Sequence, residues 1–372
     1  MIKVLYDYRA WELQRYGGVS RYFYEIIRHN VHSSNIDATV FGGLYQNKYG
    51  IKSIHGKNIS VVGKEIPYFP KSFFLFDIVN ELSFLSFSKL KSGYDIYHPT
   101  YYYSHRPPIR AAQVVTVFDM IHELFLSGRS SRRFRVFRDD TIKDKATTIR
   151  DADIVIAISH STKKDLMDTL GVEERKIKVI YLANSLTAEV REMPLIDEPY
   201  ILYVGGRGGY KNFRILLKAY GTSKRINEQF GLVTFAGEVS AGAEAEEMER
   251  LGVSERIRHI NGDDSTLCNL YRYAQVLVFP SLYEGFGLPL LEAMHYGCPV
   301  IASNRASMPE VVGDAGILFD PDDEHALIDV LEKVLFDTGL RNRLIASGYR
   351  REKEFGWDIA AGKTLDVYKA LV

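Results

Sequence analysis

Residues 279–303 read "FPSLYEGFGLPLLEAMHYGCPVIAS". Two glutamates, Glu284 and Glu292, flank a Gly-Phe-Gly turn that is followed by Leu-Pro. The apolar run 276–279 before it predicts a buried strand. Gly285 and Gly287 permit positive φ and let a ligand come close to the main chain. Pro289 suits the first turn of a helix, where a missing N–H costs nothing. Gly297 and Pro299 stop that helix, and Val300-Ile301-Ala302 opens the next strand. The order is therefore strand, glycine turn, helix, strand. In a parallel sheet such a turn lies at the carboxyl ends of the strands, where ligands bind. The helix start offers unpaired N–H groups and partial positive charge, which suit a phosphate. Glu292 falls about one turn inside the helix and looks back at the same spot, and Glu284 lies before the turn.

Outward from this stretch, strands and helices alternate along the whole chain. Strands are expected at 2–6, 37–41, 58–62, 94–97, 113–118, 153–158 and 177–181, with helices at 19–30, 72–91, 136–149 and 161–170. The segment 183–199 is polar, carries two prolines and reads as a linker. The alternation then restarts, with strands at 200–204, 231–236, 257–260, 276–280, 299–302 and 316–319 and helices between them. Helices near 323–336, 340–353 and 357–370 close the chain. This is an α/β pattern with parallel sheets. It divides into a first domain over 1–190 and a second over 191–356, with a ligand cleft expected between them.

Composition narrows the classes. The chain has 372 residues, 46% of them hydrophobic, ample for two cores. With 47 basic against 47 acidic residues, nothing marks a general nucleic-acid binder, so any anion must be held by local groups. Cys268 and Cys298 cannot form a disulfide framework and lack metal-ligand neighbours, which fits a reducing cytoplasm. A strand starting at Ile2 predicts no signal peptide. No run of about 18 apolar residues predicts a membrane span. The nearest case, 72–90, is broken by Asp77, Asn80 and Glu81 and has the spacing of an amphipathic helix facing the core. A membrane-surface or partner-facing patch is the sharper alternative.

A related turn stands at 200–213, "YILYVGGRGGYKNF". Four glycines, Arg207 and Lys211 sit between a strand and a helix start, which makes a phosphate site. The spacing matches neither a P-loop nor a dinucleotide fingerprint. The first half opens similarly: "DYRAWELQRYGGVSRYFYEI" runs from a strand through Gly17-Gly18 into a helix, against which a donor phosphate or an acceptor hydroxyl could sit. In "VVTVFDMIHELF", 114–125, Asp119, His122 and Glu123 follow a buried strand on the ligand side. In "DIYHPTYYYSHRPP", 95–108, His98 and three tyrosines are placed likewise, and tyrosine faces suit stacking on sugar rings. No metal site is expected. Asp151-Ala152-Asp153 precedes its strand, and the pairs Asp139-Asp140, Asp263-Asp264 and Asp322-Asp323 read as helix caps. Ser159 or Ser161 in "AISHSTKKDL" reads as an N-cap and not as a nucleophile.

These motifs together resemble one family. "EGFGLPLLE" closely resembles the donor-site motif of the retaining GT-B glycosyltransferases of family 4, "LYVGGRGGYKNF" their diphosphate-binding turn, and "RYGGVSRYFYEI" their N-terminal Gly-Gly loop. "DADIVIAISHSTKKDL", "FPSLYEGFGLP" and "GDAGILFDPDD" are similar to further family segments. The likeness spans nearly the whole chain, and within the family it is strongest to bacterial polysaccharide and O-antigen mannosyltransferase-like enzymes. It implies two Rossmann-like domains, an acceptor-binding one and a donor-binding one, whose parallel sheets face across the cleft, with helix 357–372 packing back on the first.

The resemblance also implies roles. Glu292 should bind the nucleotide ribose, Glu284 should lie beside the donor sugar and the reaction centre as a catalytic residue, and Arg207 and Lys211 should hold the diphosphate. The backbone of Phe286, Gly287 and Leu288 should contact sugar and phosphates, and Gly17 and Gly18 should lie near the diphosphate. Many members have His immediately before the Asp that follows the strand "VVTV". Here Phe118 stands there, so His122 or Asp119 takes that catalytic role. The expected reaction is retaining transfer of a hexose to a saccharide or lipid-linked saccharide in cell-surface polysaccharide synthesis. It should use no cofactor beyond the sugar-nucleotide substrate and no metal, with two cations and helix N-termini stabilising the leaving diphosphate. GDP-mannose or a GDP-deoxyhexose is the first expectation for the donor and a UDP-hexose the second. The expected location is the cytoplasm, with peripheral contact at the inner membrane face. A GT-B epimerase, a phosphorylase and a silent sugar-nucleotide-binding subunit are the alternatives.

Overall fold

A computed structural model describes residues 1–13, 17–30, 35–54, 56–67, 72–126, 132–237 and 242–372, with the side chains of 72–75, 126 and 132–140 lying outside the description. The chain divides into two compact units, one comprising Met1–Leu182 and Trp357–Val372 and the other Ala183–Gly356.

The first unit holds a seven-stranded sheet of β1 (Ile2–Tyr6), β2 (Ile36–Tyr45), β3 (Ile59–Glu65), β4 (Ile96–His98), β5 (Ala112–Val117), β6 (Ile154–Ala157) and β7 (Ile177–Val179). The strand order is β3-β2-β1-β4-β5-β6-β7, and every pairing is parallel. The second unit holds β8 (Tyr200–Val204), β9 (Gly231–Phe235), β10 (Ile257–Ile260), β11 (Val276–Phe279), β12 (Val300–Ser303) and β13 (Gly316–Phe319). Their order, β10-β9-β8-β11-β12-β13, is again parallel throughout. Both sheets reverse their winding next to their first strand, at β1/β4 and at β8/β11. That reversal opens a crevice at the strand ends in each unit.

The sequence forms these sheets because its central strands are continuous apolar runs, which suit burial on both faces. Every residue of β8 and β11 is buried. On one face of the second sheet, Phe213, Leu216 and Tyr220 of the helix Phe213–Thr222 pack with Leu327, Leu331 and Val334 of the helix Glu324–Phe336. The expected domain boundary at 190/191 moves to Leu182/Ala183. The physical reason is that the linker is stapled to the second unit. Asn269 Oδ1 accepts from Leu195 N at 2.9 Å, its Nδ2 donates to Met193 O at 3.0 Å, and Tyr296 Oη donates to the carbonyls of Leu186 and Ala188, each at 3.1 Å.

Asn80, which interrupts the apolar run of the helix Ser72–Leu90, is buried and not solvent-facing. Its amide closes on the backbone of Leu44, accepting from N at 2.7 Å and donating to O at 3.0 Å. This lies beside the register shift between Phe41 and Gly43 in β2. The helix thus buries Phe76, Asn80 and Phe84 at four-residue intervals and leaves Ile78 and Leu82 61% exposed. The caps at Ser159, Asp263 and Asp323 form as expected, each accepting from the backbone N–H three residues on. Asp139 and Asp140 fall inside the helix Arg132–Asp151, not at its start, and their side chains are outside the described residues.

The helix Trp357–Lys369 belongs to the first unit and is tied to it by polar groups. Tyr368 Oη is hydrogen-bonded to Tyr6 Oη at 2.9 Å and to His98 Nδ1 at 2.6 Å, and His98 Nε2 to Thr116 Oγ1 at 3.0 Å. All four residues are buried. Burial lowers the His98 pKa to about 3, so the imidazole is neutral in the folded protein. In the unfolded chain His98 takes up its proton near 6.5. The folded state therefore binds fewer protons between those values, and stability falls as pH drops through that window. Tyr368→Phe should cost about 1–3 kcal/mol by leaving His98 Nδ1 buried without a partner. His98→Gln should flatten the decline of melting temperature between pH 7 and 5. Unchanged melting in the first variant, or an unchanged pH slope in the second, would contradict this.

Candidate functional site

At the β8/β11 switch point two loops meet. The first leaves β8 through Gly205, whose φ is 125°, and Gly209, whose φ is 60°, before Asn212 at φ 52° starts the helix Phe213–Thr222. A Cβ added at Gly205, Gly206, Gly208 or Gly209 would meet nothing within 4 Å, so this turn is open on its outer side. Asn212 is held there by its Nδ2 donating to Pro321 O at 2.9 Å. The second loop leaves β11 and runs through Ser281, Glu284 and Gly287, whose φ of 106° is a conformation glycine tolerates. The helix Leu288–His295 follows.

One ion pair joins the loops. Lys211 Nζ lies 2.7 Å from Glu284 Oε1, and the same oxygen accepts from Ser281 Oγ at 2.7 Å. Glu284 is 9% exposed, so its carboxylate is fixed mostly away from water. Its backbone is fixed too. Ser307 Oγ donates to the carbonyls of Glu284 at 2.9 Å and Phe286 at 2.8 Å, and Ser303 Oγ donates to Ser281 O at 2.6 Å. Phe286 is buried with its ring edge-on to Phe355. Such second-layer support holds a carboxylate to one geometry.

Glu292 lies one turn into its helix and is buried. Tyr271 Oη donates to its Oε2 at 2.9 Å. The Tyr271 pKa is pushed well up by burial and then by the Glu292 charge, so the phenol stays a donor. Arg207 is placed differently from Lys211. Its Nε pairs with Glu244 at 2.8 Å, and its Nη1 donates to Thr234 Oγ1 and His259 Nδ1, each at 3.2 Å. The side chain is 6% exposed and lies toward the ends of β9 and β10. Burial, and then the Arg207 charge, lowers the His259 pKa, which favours the neutral ring that can accept from the guanidinium.

In the first unit, Gly17 and Gly18 open the helix Gly18–Asn30, where Arg21 N donates to Gly17 O at 3.1 Å. A Cβ at Gly18 would meet nothing within 4 Å, so glycine there leaves space above the helix start. Asp119 Oδ1 accepts from Ile121 N at 3.1 Å and holds the turn after β5, and His122 begins the next helical turn. Phe118 packs edge-on against Tyr22. Lys145, which carries no signal in the sequence, reaches in from the helix Arg132–Asp151. It donates to Asp119 O and Glu123 Oε2, each at 2.9 Å. Its side chain is 1% exposed.

The structure thus joins Lys211 to Glu284 directly and sets Phe286 and Gly287 in the same loop, with Leu288 opening the helix that follows. It ties Arg207 to Glu244 instead. Sequence reading missed Ser281, Ser303, Ser307 and Tyr271, which fix the two glutamates. A tyrosine facing the core from a helix, or a serine after a strand, has no distinguishing pattern.

Residues 188–351 match the family model described as glycosyl transferases group 1, and residues 16–183 match that of glycosyltransferase family 4. The chain is 31% identical over 293 residues to the O-antigen chain mannosyltransferase B of Escherichia coli, covering 74% of each chain. Among solved structures it is similar to sucrose-phosphate synthase from Thermosynechococcus elongatus, with TM-score 0.74 and 20% identity over 100% of this chain and 99% of that one. It is also similar to Anabaena HepE in complex with UDP-glucose, with TM-score 0.70 and 15% identity over 100% of each. With both halves matched, two parallel sheets of the GT-B kind and a relative at that identity, the chain belongs to the GT-B glycosyltransferases of group 1 and family 4.

Proposed function

We propose that this glycosyltransferase moves a hexose from a nucleoside-diphosphate sugar to a saccharide acceptor, with retention at the anomeric carbon and without a divalent metal, in the synthesis of a bacterial cell-surface polysaccharide. The observation that carries the reading is the Lys211–Glu284 pair, spanning the β8/β11 switch point beside a glycine turn with open space over it. A diphosphate laid on that turn meets amide donors, a helix start and an ammonium group together. Lys211 is the first cation to reach it, and Arg207 joins when the diphosphate competes with Glu244. Glu292, oriented by Tyr271, accepts from the ribose hydroxyls. The backbone of Phe286, Gly287 and Leu288 lines the sugar. Gly17 and Gly18 keep a helix start clear for a phosphate or an acceptor hydroxyl.

In the reaction the bond between the anomeric carbon and the β-phosphate oxygen breaks, and the electron pair leaves with the nucleoside diphosphate. The acceptor hydroxyl oxygen bonds the anomeric carbon on the same face, and its proton passes to the departing phosphate. Positive charge grows on the sugar beside Glu284 and negative charge on the diphosphate beside Lys211. Preorganised charges of this kind supply the largest part of such a rate gain. Glu284, already accepting from Lys211 and Ser281, orients the sugar and is not the nucleophile. Of the two groups after β5, His122, which opens the helical turn His122–Leu126, is our first assignment for the post-strand role toward the sugar, and Asp119 is the second.

The relative named as an O-antigen chain mannosyltransferase supports mannose as the sugar, and GDP is our first choice for the nucleotide. A UDP-hexose stands second, since HepE was solved with UDP-glucose. Among the described residues no helix is long and apolar enough to cross a membrane. A lipid-linked acceptor would bring the protein to the cytoplasmic face of one.

Incubating the protein with GDP-mannose, and in parallel with UDP-glucose, and a mannose-terminated acceptor should give an α-linked product by NMR. A β-linked product would overturn retention, and free sugar phosphate formed only with added phosphate would mean a phosphorylase. Rate should persist in EDTA. Complete loss restored by Mg²⁺ would reverse the metal-free reading. His122→Ala should lower kcat by a factor of ten or more, and Phe118→Leu by less, because Phe118 packs on Tyr22. The reverse order would move the role away from His122.

A further inference from the structure

The first unit contains a cavity of about 250 Å³ beyond the carboxyl ends of β1 and β4. Its wall includes Tyr8 and Arg9 after β1, Tyr101 to Tyr103 after β4, and side chains of the helix Ser72–Leu90. None of these residues belongs to the donor reading above. The volume is below the roughly 300–1,000 Å³ of drug-sized sites, so it suits a ligand about the size of one sugar ring.

The wall has a definite chemistry. Tyr101 and Tyr102 lie with ring centres 4.6 Å apart at 41°, an aromatic surface for the C–H face of a pyranose. Carboxylates of Glu12, Asp77, Glu81 and Asp144 also line the cavity, and a carboxylate accepts from two neighbouring hydroxyls at once. Arg9 is the guanidinium on the wall, but it is already neutralised. It pairs with the fully buried Asp7 and, at 3.0 Å, with Glu81. It also lies over the rings of Tyr8 and Tyr103, at 5.0 and 5.7 Å. Asp7 is locked in turn, accepting from Thr100 N at 2.8 Å and from Tyr97 Oη at 2.8 Å. So Arg9 is spent on the frame and is not offered to an anion. Glu12 reports the resulting environment. Its Oε2 accepts from Asn80 at 2.8 Å, while its buried Oε1 has no hydrogen-bond partner among the described residues. Burial, and to a lesser degree the Asp77 and Glu81 charges, push its pKa up to about 7 despite Asn80 and Arg9.

We infer that this pocket is a subsite for the acceptor saccharide that takes an uncharged pyranose unit and rejects a sugar bearing a phosphate or carboxylate. The tyrosines supply contact area, the carboxylates accept from ring hydroxyls, and an anionic substituent would face four carboxylates, with Arg9 already paired and His105 the one other basic group on the described wall. The inference rests on the glycosyl-transfer reading and adds the class of acceptor.

The test uses the full chain with methyl α-mannopyranoside and mannose 6-phosphate as probes, their affinities read by saturation-transfer NMR. The thermal shift given by GDP and by UDP serves as a separate readout of the donor unit. The wild type should bind the mannoside at least ten-fold more tightly than the phosphate. Tyr101→Ala should weaken the mannoside at least five-fold while keeping the nucleotide shift. Asp77→Lys, at an exposed position, should shrink the preference over mannose 6-phosphate at least five-fold. No mannoside binding, equal affinity for both probes, or full affinity in Tyr101→Ala with the nucleotide shift intact would overturn the subsite alone. No shift with either nucleotide in the wild type would instead overturn the donor reading and take the subsite's basis with it.

Discussion

The ion pair between Lys211 and Glu284 is the constraint on which the second unit's chemistry depends. Its two members come from loops that leave different strands, β8 and β11, and they meet because those strands are neighbours where the sheet reverses its winding. A lysine in a glycine-rich turn would otherwise be a mobile cation, and a buried glutamate an unpaired charge. Joined at 2.7 Å, each removes the other's freedom. Ser281 and Ser307 hold the glutamate side, and Asn212 holds the lysine side through Pro321. In the proposed reaction a leaving diphosphate and a developing sugar cation call for opposite charges a few ångströms apart, and this pair would supply them.

The first unit solves a similar problem with a different set of groups. Asp7 stands at the β1/β4 switch point and is fully buried, so its charge must be paired and hydrogen-bonded to be tolerated. Arg9, Tyr97 and Thr100 satisfy it, and Arg9 then fixes Glu81. Charge is thus used as a frame, while the surface around it is left to tyrosines and carboxylates. In the second unit Arg207 is likewise tied to Glu244, and Lys211 is the cation paired with Glu284.

Much of this was legible in the sequence, for physical reasons that differ from place to place. The central strands of both sheets show as apolar runs because parallel strands inside a sheet are buried on both faces. β1, β8, β10 and β13 fall at the expected residues, while β2 extends to Tyr45, beyond the expected end at 41. That extension runs through a Gly-Gly bulge, after which Leu44 is held by Asn80, a contact made by a distant helix and invisible to local pattern. Short helices such as Arg9–Leu13 and Lys224–Asn227 have too few turns to show a period. The glycine turns, Lys211, Glu284 and Glu292 stood out because backbone freedom and charge next to a strand end are local features. The orientation of Arg207 was not legible, because its partner Glu244 comes from another helix. Lys145, buried against Glu123, was hidden for the same reason.

The central claim is that Lys211 and Glu284 act on the donor as one unit. A double-mutant cycle on kcat/KM with Lys211→Met, Glu284→Gln and the combined variant tests it most directly, with folding of each checked by thermal melting. Residues that work through a shared contact couple, so the double variant should lose less than the sum of the single losses, by at least about 1 kcal/mol. Additive losses, within about 0.3–0.5 kcal/mol, would mean that the two side chains serve the reaction independently and that their contact across the switch point is only structural.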